Sequence, residues 1–152
     1  MQYHINDFLP KLNNLTADTK ALWGKMTAQH MVEHLILAVK MSNGKVRLEC
    51  FNPPEKLPTL KRILLSSRPL PRNFINPYLG EDLMPLEYKS LEEAKQILAE
   101  EIKDYYKYFE DNPDTFLTNV TFGDLNKDEW EVFHQKHFIH HFKQFGLLEE
   151  NK

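Results

Sequence analysis

The sequence predicts a single all-α domain arranged as a four-helix bundle. Its 152 residues are the length of one ordinary domain, which is expected to cover residues 1–152. Apolar residues recur at three- and four-residue steps in several segments, and no segment shows a convincing strand alternation. Hydrophobic residues make up 41% of the chain and charged residues 27%, as in a globular chain that is soluble in water.

The first two helices are predicted at the beginning of the chain. The first should cover about residues 5–15 and start or kink at Pro10, because proline cannot donate to the helical ladder. Thr27 is a suitable N-cap for a second helix that reaches about Asn43, with Gly44 just beyond its end. One face of this second helix should be buried: Met31, His34, Leu35, Ala38 and Met41.

The third and fourth helices each begin at a capping-box pattern. Ser90 followed by Glu93 opens the third helix, and Asn126 followed by Glu129 opens the fourth, which should end at Gly146. Seven of the nine prolines lie between the second and third helices, in residues 53–85. We therefore expect a long crossover between helices two and three, with a short helix over residues 57–65 within it.

Composition and charge exclude several classes of function. A formal net charge of −3 and an isoelectric point near 6.2 argue against nucleic acid as a partner. The sequence begins without a signal-peptide pattern and has no apolar run of about 18 residues, so no stable membrane insertion is expected. The single cysteine, Cys50, excludes an internal disulfide and suits a cytoplasmic location.

Histidines stand where leucines would be expected on the last helix. Four of the seven histidines fall within residues 134–141, and His137 and His141 lie one turn apart on the apolar stripe. His34 lies on the inward face of helix two, so three imidazoles converge if the two helices pack together. An unpartnered buried polar ring costs roughly 1–3 kcal/mol, and a divalent cation would remove that cost. Three nitrogen ligands leave one position open, as in catalytic zinc sites.

Other interpretations of these histidines are open at this point. A lone inward histidine such as His34 is more often a hydrogen-bonded core residue than a ligand, and the pair on the last helix is equally consistent with ordinary core or surface positions. The stretch from His30 to His34 also spells H-x-x-E-H, in which His30 and His34 would bind zinc and Glu33 would act as general base. That motif is short, and it leaves the histidines of the last helix unexplained.

The last helix also resembles a known family. Residues 137–144, His-Phe-Ile-His-His-Phe-Lys-Gln, resemble the H-x-x-H-H-x-x-Q signature of the DinB/YfiT-like superfamily. Residues 121–130 and 23–35 resemble an uncharacterised branch of it. The resemblance implies a four-helix bundle with a long crossover and a divalent transition metal, zinc or nickel. The ligands that it implies are His34, His137 and His141.

The resemblance also bears on the residues around the ligands. Candidates for supporting the ligands without binding the metal are Gln144, His140, His134, Glu33 and His30. Lys143 departs from the glycine that commonly precedes the family glutamine, so the substrate preference of better-studied members does not transfer.

The function that the resemblance implies is metal-dependent transfer of a low-molecular-weight thiol to a small electrophile. Because Cys50 has no activating neighbour in the sequence, the reactive thiol is expected to arrive as a small molecule. A non-catalytic protein that binds a metal or small ligand, for example in stress protection, is the alternative. A metal-dependent hydrolase is a third interpretation.

A basic segment in the crossover could bear on partners. Five cationic residues and no acidic residue occur from Lys56 to Arg72. They could attract an anionic small-molecule substrate, form an ordinary solvated loop, or dock on a membrane surface or a partner. An exposed aromatic helix face could also form a homodimer.

Overall fold

Helices dominate the computed structural model of the protein, which describes residues 4–71 and 83–149. The α-helices are α1 (Ala28–Ser42), α2 (Leu57–Leu65), α3 (Leu91–Asp111) and α4 (Lys127–Gln144). Two 3₁₀ helices, Ile5–Asn14 and Pro54–Lys56, precede α1 and α2, respectively. A small antiparallel sheet of β1 (Leu117–Asn119) and β2 (Gly123–Leu125) lies between α3 and α4. The prediction of a mostly helical chain is confirmed.

The three long helices begin at the predicted caps. The side chains of Thr27, Ser90 and Asn126 each accept a hydrogen bond from the backbone amide three residues further along the chain. At the start of α4, the Glu129 carboxylate also accepts from the Asn126 amide, which completes the capping box. These bonds satisfy amides that have no partner within the helix.

The N-terminal helix is a 3₁₀ helix, whereas the sequence pattern suggested an ordinary helix over residues 5–15. Pro10 stands in its middle and has no amide proton for an α-helical bond. The tighter coil still turns Ile5, Phe8 and Leu12 into the core.

The two-stranded sheet was not predicted. Leu117 pairs with Leu125 and Asn119 pairs with Gly123, so each strand has only three residues. Strands this short are too brief to show an alternating pattern in the sequence. The hairpin is joined to α4 by a hydrogen bond of 3.0 Å from Trp130 Nε1 to the Leu117 carbonyl.

The core brings the inward faces of α1 and α4 together. α1 packs against both α3 and α4, and the N-terminal 3₁₀ helix contacts α3 and α4. Fully buried side chains from the three long helices include Met31, Leu35, Leu98, Tyr105, Trp130, Phe138 and Phe142. The helices within residues 4–71 and 83–149 include none that is long and apolar enough to cross a membrane.

Part of the basic segment is engaged in contacts within the protein. Lys61 Nζ lies 3.4 Å from a Glu129 carboxylate oxygen and donates to the Asp124 carbonyl at 3.2 Å. Arg62 donates to the Thr59 hydroxyl on the same helix. Arg72, the end of the segment, lies outside the described residues.

Candidate metal centre

Three imidazoles converge where α1 packs against α4. The Nε2 atoms of His34 and His137 are 2.9 Å apart, and those of His137 and His141 are 3.2 Å apart. The ring centroids of the three histidines are separated by 4.7–4.8 Å. The predicted ligand set is therefore brought together, and its three nitrogen atoms are close enough to share one metal ion.

The local sequence explains this convergence. His137 and His141 are four residues apart on α4, so their side chains lie one above the other on the same helix face. Phe138 and Phe142 follow them directly and are fully buried, which keeps this part of α4 against the core. On α1, which packs against α3 and α4, His34 lies on the same face as the buried Met31, Leu35 and Ala38.

Burial keeps the three rings uncharged. His137 and His141 are only 8% and 6% exposed, and burial, with the neighbouring histidines, lowers the pKa of both well below 6.5. Burial, with a smaller contribution from His140, lowers the pKa of His34 to about 4. Near pH 7 all three rings are therefore neutral, which is the form that binds metals.

Gln144 determines the tautomer of His141. The side-chain Nε2 atom of Gln144 lies 2.9 Å from the Trp23 carbonyl oxygen. Because that carbonyl can only accept, Nε2 donates to it and the Gln144 amide oxygen faces the other way. That oxygen lies 2.7 Å from His141 Nδ1, which therefore carries the ring proton. The His141 Nε2 atom consequently directs a lone pair towards the other two rings.

The close approach of the three Nε2 atoms fits a shared cation, and hydrogen bonds alone do not satisfy all three. His137 Nε2 is close to both other Nε2 atoms, and the one proton that it can carry cannot point at both. Without a cation between them, two of these nitrogens would therefore point two lone pairs, or two N–H protons, at each other. Three neutral imidazoles are a ligand set suited to zinc and similar divalent transition metals.

Among the described residues, the Nδ1 atom of His141 has a hydrogen-bond partner, and those of His34 and His137 do not. In the part of the chain that the structure describes, Nδ1 of His34 and Nδ1 of His137 are buried without a hydrogen-bond partner. His141 alone among the three has its Nδ1 bonded, to Gln144. No cysteine, carboxylate or further histidine of the described residues joins the three rings as a fourth ligand.

His30 and Glu33 connect α1 to the chain before α3, and they do not join the three rings. The two nitrogens of His30 lie 2.6 Å from the Thr27 hydroxyl and 3.1 Å from the Met84 carbonyl. The Glu33 carboxylate accepts from the backbone amides of residues 87 and 88 at 2.8 and 3.2 Å. Both side chains of the H-x-x-E-H hypothesis are thus engaged elsewhere, and that motif forms no zinc site with His34.

His134 and His140 lie on α4 with His137 and His141. His140 packs its ring 4.8 Å from that of His141. His134 is fully buried, and its Nε2 lies 2.7 Å from the Ser42 hydroxyl at the end of α1. Of the five residues expected to support the ligands, Gln144 is thus the one whose bond to a ligand ring is resolved among the described residues.

The sequence could not have indicated the role of the Trp23 carbonyl. Any residue supplies a backbone carbonyl, so its use depends on the path of the chain before α1 and not on the residue type. The Tyr105 and Tyr106 hydroxyls both donate to the Glu131 carboxylate at 3.0 Å. That contact joins α3 to α4 outside the three rings.

Comparisons with models of protein families, with curated proteins and with solved structures found no match to the chain. The resemblance to the DinB/YfiT-like superfamily rests on the residues named above and stays a prediction. The site is therefore interpreted from its own geometry.

Proposed function

We propose that the chain is a metal-dependent enzyme in which His34, His137 and His141 hold one divalent transition metal, zinc or nickel. The observation that carries this proposal is the convergence of three neutral imidazoles from two helices. Three protein ligands leave a coordination position for a substrate, as in catalytic sites. A closed structural site would require a fourth ligand from the chain.

The proposed reaction is transfer of a low-molecular-weight thiol to a small electrophile. A divalent cation at this position would supply Lewis-acid chemistry, lowering the pKa of a thiol that binds it. The chain's own residues keep the ligand rings neutral by burial and hold the proton of His141 at Nδ1 through Gln144. Cys50 is not among the three converging residues, so the thiol would come from a small molecule.

We further propose that the helices form a four-helix bundle with a long crossover. The N-terminal 3₁₀ helix would be the first helix of the bundle, since it contacts both α3 and α4. The connection between α1 and α3 contains α2 and spans residues 43–90, which is long enough to run along the bundle.

A non-catalytic metal-binding or small-ligand-binding protein is the second candidate function. The low exposure of His137 and His141 favours it, because a shielded site holds a metal securely but restricts access for a substrate. His34 is less buried than the two histidines on α4, and substrate access would be from its side.

Metal content tests the ligand set. Purified protein is expected to contain about one transition metal per chain by inductively coupled plasma mass spectrometry. Replacing His34, His137 or His141 by alanine should abolish binding, because two imidazoles hold the ion weakly. His30→Ala is the matched control from α1 and should retain the metal. Full retention in the His137→Ala/His141→Ala double variant would contradict the proposed site.

An activity assay separates the candidate functions. Metal-loaded protein should join a low-molecular-weight thiol to a small electrophile in a panel of both, and the double variant should not. Turnover of an ester or amide without thiol would favour a hydrolase. Silence across a broad panel, with the metal bound, would favour the binding protein.

A further inference from the structure

The turn that leads into α1 touches the metal centre through a chain of two hydrogen bonds. We infer that this turn, residues 22–24, positions the His141 ring, and that Gly24 makes this possible because it has no side chain. The inference rests on the proposed function, because it assigns a role to residues outside the ligand set. Gly24 acts through Gln144 and does not contact the imidazoles itself.

Two hydrogen bonds to Gln144 hold the turn against the end of α4, and the Trp23 ring also packs 5.8 Å from that of His140 on the same helix. The Leu22 amide donates to the backbone carbonyl of Gln144 at 2.7 Å, and the Trp23 carbonyl accepts from the Gln144 side-chain amide at 2.9 Å. Gln144 is 5% exposed, so its side chain is enclosed between the turn and His141. Its amide oxygen is thereby aimed at His141 Nδ1, 2.7 Å away.

Gly24 lies where a side chain would disturb this arrangement. Its φ of +82° is in the left-handed region, and a Cβ atom there would lie 2.9 Å from Gln144 Nε2. The end of a glutamine side chain can move, so the close contact would be relieved by displacement of the Gln144 amide. That displacement breaks the bonds to the Trp23 carbonyl and to His141 together.

Loss of these bonds should weaken metal binding without removing a ligand. The Nδ1 proton of His141 would lose its acceptor, and the ring could adopt the other tautomer, which places the proton on Nε2. Removing an outer hydrogen-bond partner of a metal-binding histidine typically costs about 10- to 100-fold in metal affinity. We expect a loss of this size for Gly24→Ala and for Gln144→Ala.

Gly146 provides a matched control at the same end of α4. Its φ of +71° imposes the same left-handed strain on an alanine, yet a Cβ atom there would meet nothing within 4 Å. Zn²⁺ affinity, measured by competition with a chromophoric chelator, should therefore fall in Gly24→Ala and stay at the wild-type value in Gly146→Ala. The Co²⁺ absorption spectrum of Gly24→Ala should change in the same way as that of Gln144→Ala.

A double-mutant cycle shows whether Gly24 acts through Gln144. In the Gln144→Ala background the added Cβ atom has no side-chain amide to displace, so Gly24→Ala/Gln144→Ala should bind Zn²⁺ as Gln144→Ala does. Additive losses would mean that Gly24 affects the site by another route and would overturn the inference. If Gly24→Ala does not fold, Gly24→Asn with Gly146→Asn replaces the pair, because asparagine tolerates this backbone better.

The outcomes separate this inference from the proposed function. Wild-type protein that binds neither Zn²⁺ nor Ni²⁺ would overturn the proposed function, and the role of Gly24 with it. Wild-type protein that binds Zn²⁺, with equal affinities for Gly24→Ala and Gly146→Ala, would overturn the positioning role alone. Weakened binding in Gly24→Ala but not in Gly146→Ala, with no further loss when Gly24→Ala is added to Gln144→Ala, would support it.

Discussion

The buried histidines of α4 differ in whether their Nδ1 atoms have a hydrogen-bond partner. His141 has its Nδ1 proton held by Gln144, whereas Nδ1 of His134 is buried without a partner in the described part of the chain. His134 stacks on Trp130 at a centroid distance of 5.3 Å and bonds Ser42 through Nε2. His134 is therefore a titratable residue in the core, and the free energy that its burial costs depends on pH.

The pH dependence of stability should show this cost. Burial lowers the pKa of His134 from 6.5 to about 3, so between these values the unfolded chain binds a proton that the folded chain does not. The free energy of unfolding should therefore fall on acidification below pH 6.5, by roughly 1.4 kcal/mol per pH unit from this residue. Above pH 6.5 the residue should contribute no pH dependence.

The His134→Gln variant isolates this contribution. Its free energy of unfolding, measured by urea titration in the presence of a chelator, should decrease less steeply between pH 6 and pH 4 than that of wild type. The comparison uses slopes, so a change in stability at pH 7 does not affect it. Equal slopes for the two proteins would show that His134 is not a buried neutral residue in solution.

The site was predictable to the extent that it depends on residue type and spacing. The four-residue spacing of His137 and His141 and the inward position of His34 are visible in the sequence, and the structure brings these residues together. The bonds of His30 and Glu33 to residues 84–88 were not visible, because they depend on how the chain returns to α1.

At the scale of elements, α4 carries most of the site, and capping hydrogen bonds hold its first turn. Two of the three proposed ligands and Gln144 lie on this helix, and its N-terminus is capped reciprocally by Asn126 and Glu129. The capping signals of the long helices could be recognised from one or two residues each, which explains why their starts were predicted well. The 3₁₀ helix and the three-residue strands carry no sequence signal that is as easy to recognise.

Removal of the α4 cap should destabilise the protein measurably. Asn126→Ala leaves the Glu129 amide without its acceptor and should lower the free energy of unfolding by about 1 kcal/mol in chemical denaturation. Asn126→Ser retains a side-chain acceptor and is the matched control, so it should remain close to wild type. Equal losses in the two variants would show that the cap does not account for the effect.

At the scale of the whole molecule, the three histidines converge only because α1 and α4 are packed together. The ligands are separated by about two thirds of the chain, His34 from one helix and the α4 pair from another, so the site is a product of folding. Metal binding is accordingly expected to be coupled to folding. Whether the proposed site is catalytic or only binds a metal would depend on whether a substrate can reach the position that the three histidines leave open.

An anomalous-scattering map of crystals grown with Zn²⁺ tests the central claim most directly. Data collected at the zinc absorption edge should show one strong peak between α1 and α4, about 2.0–2.1 Å from the Nε2 atoms of His34, His137 and His141. A map with no peak at these three atoms, or with its peak at His30 and Glu33 instead, would contradict the account.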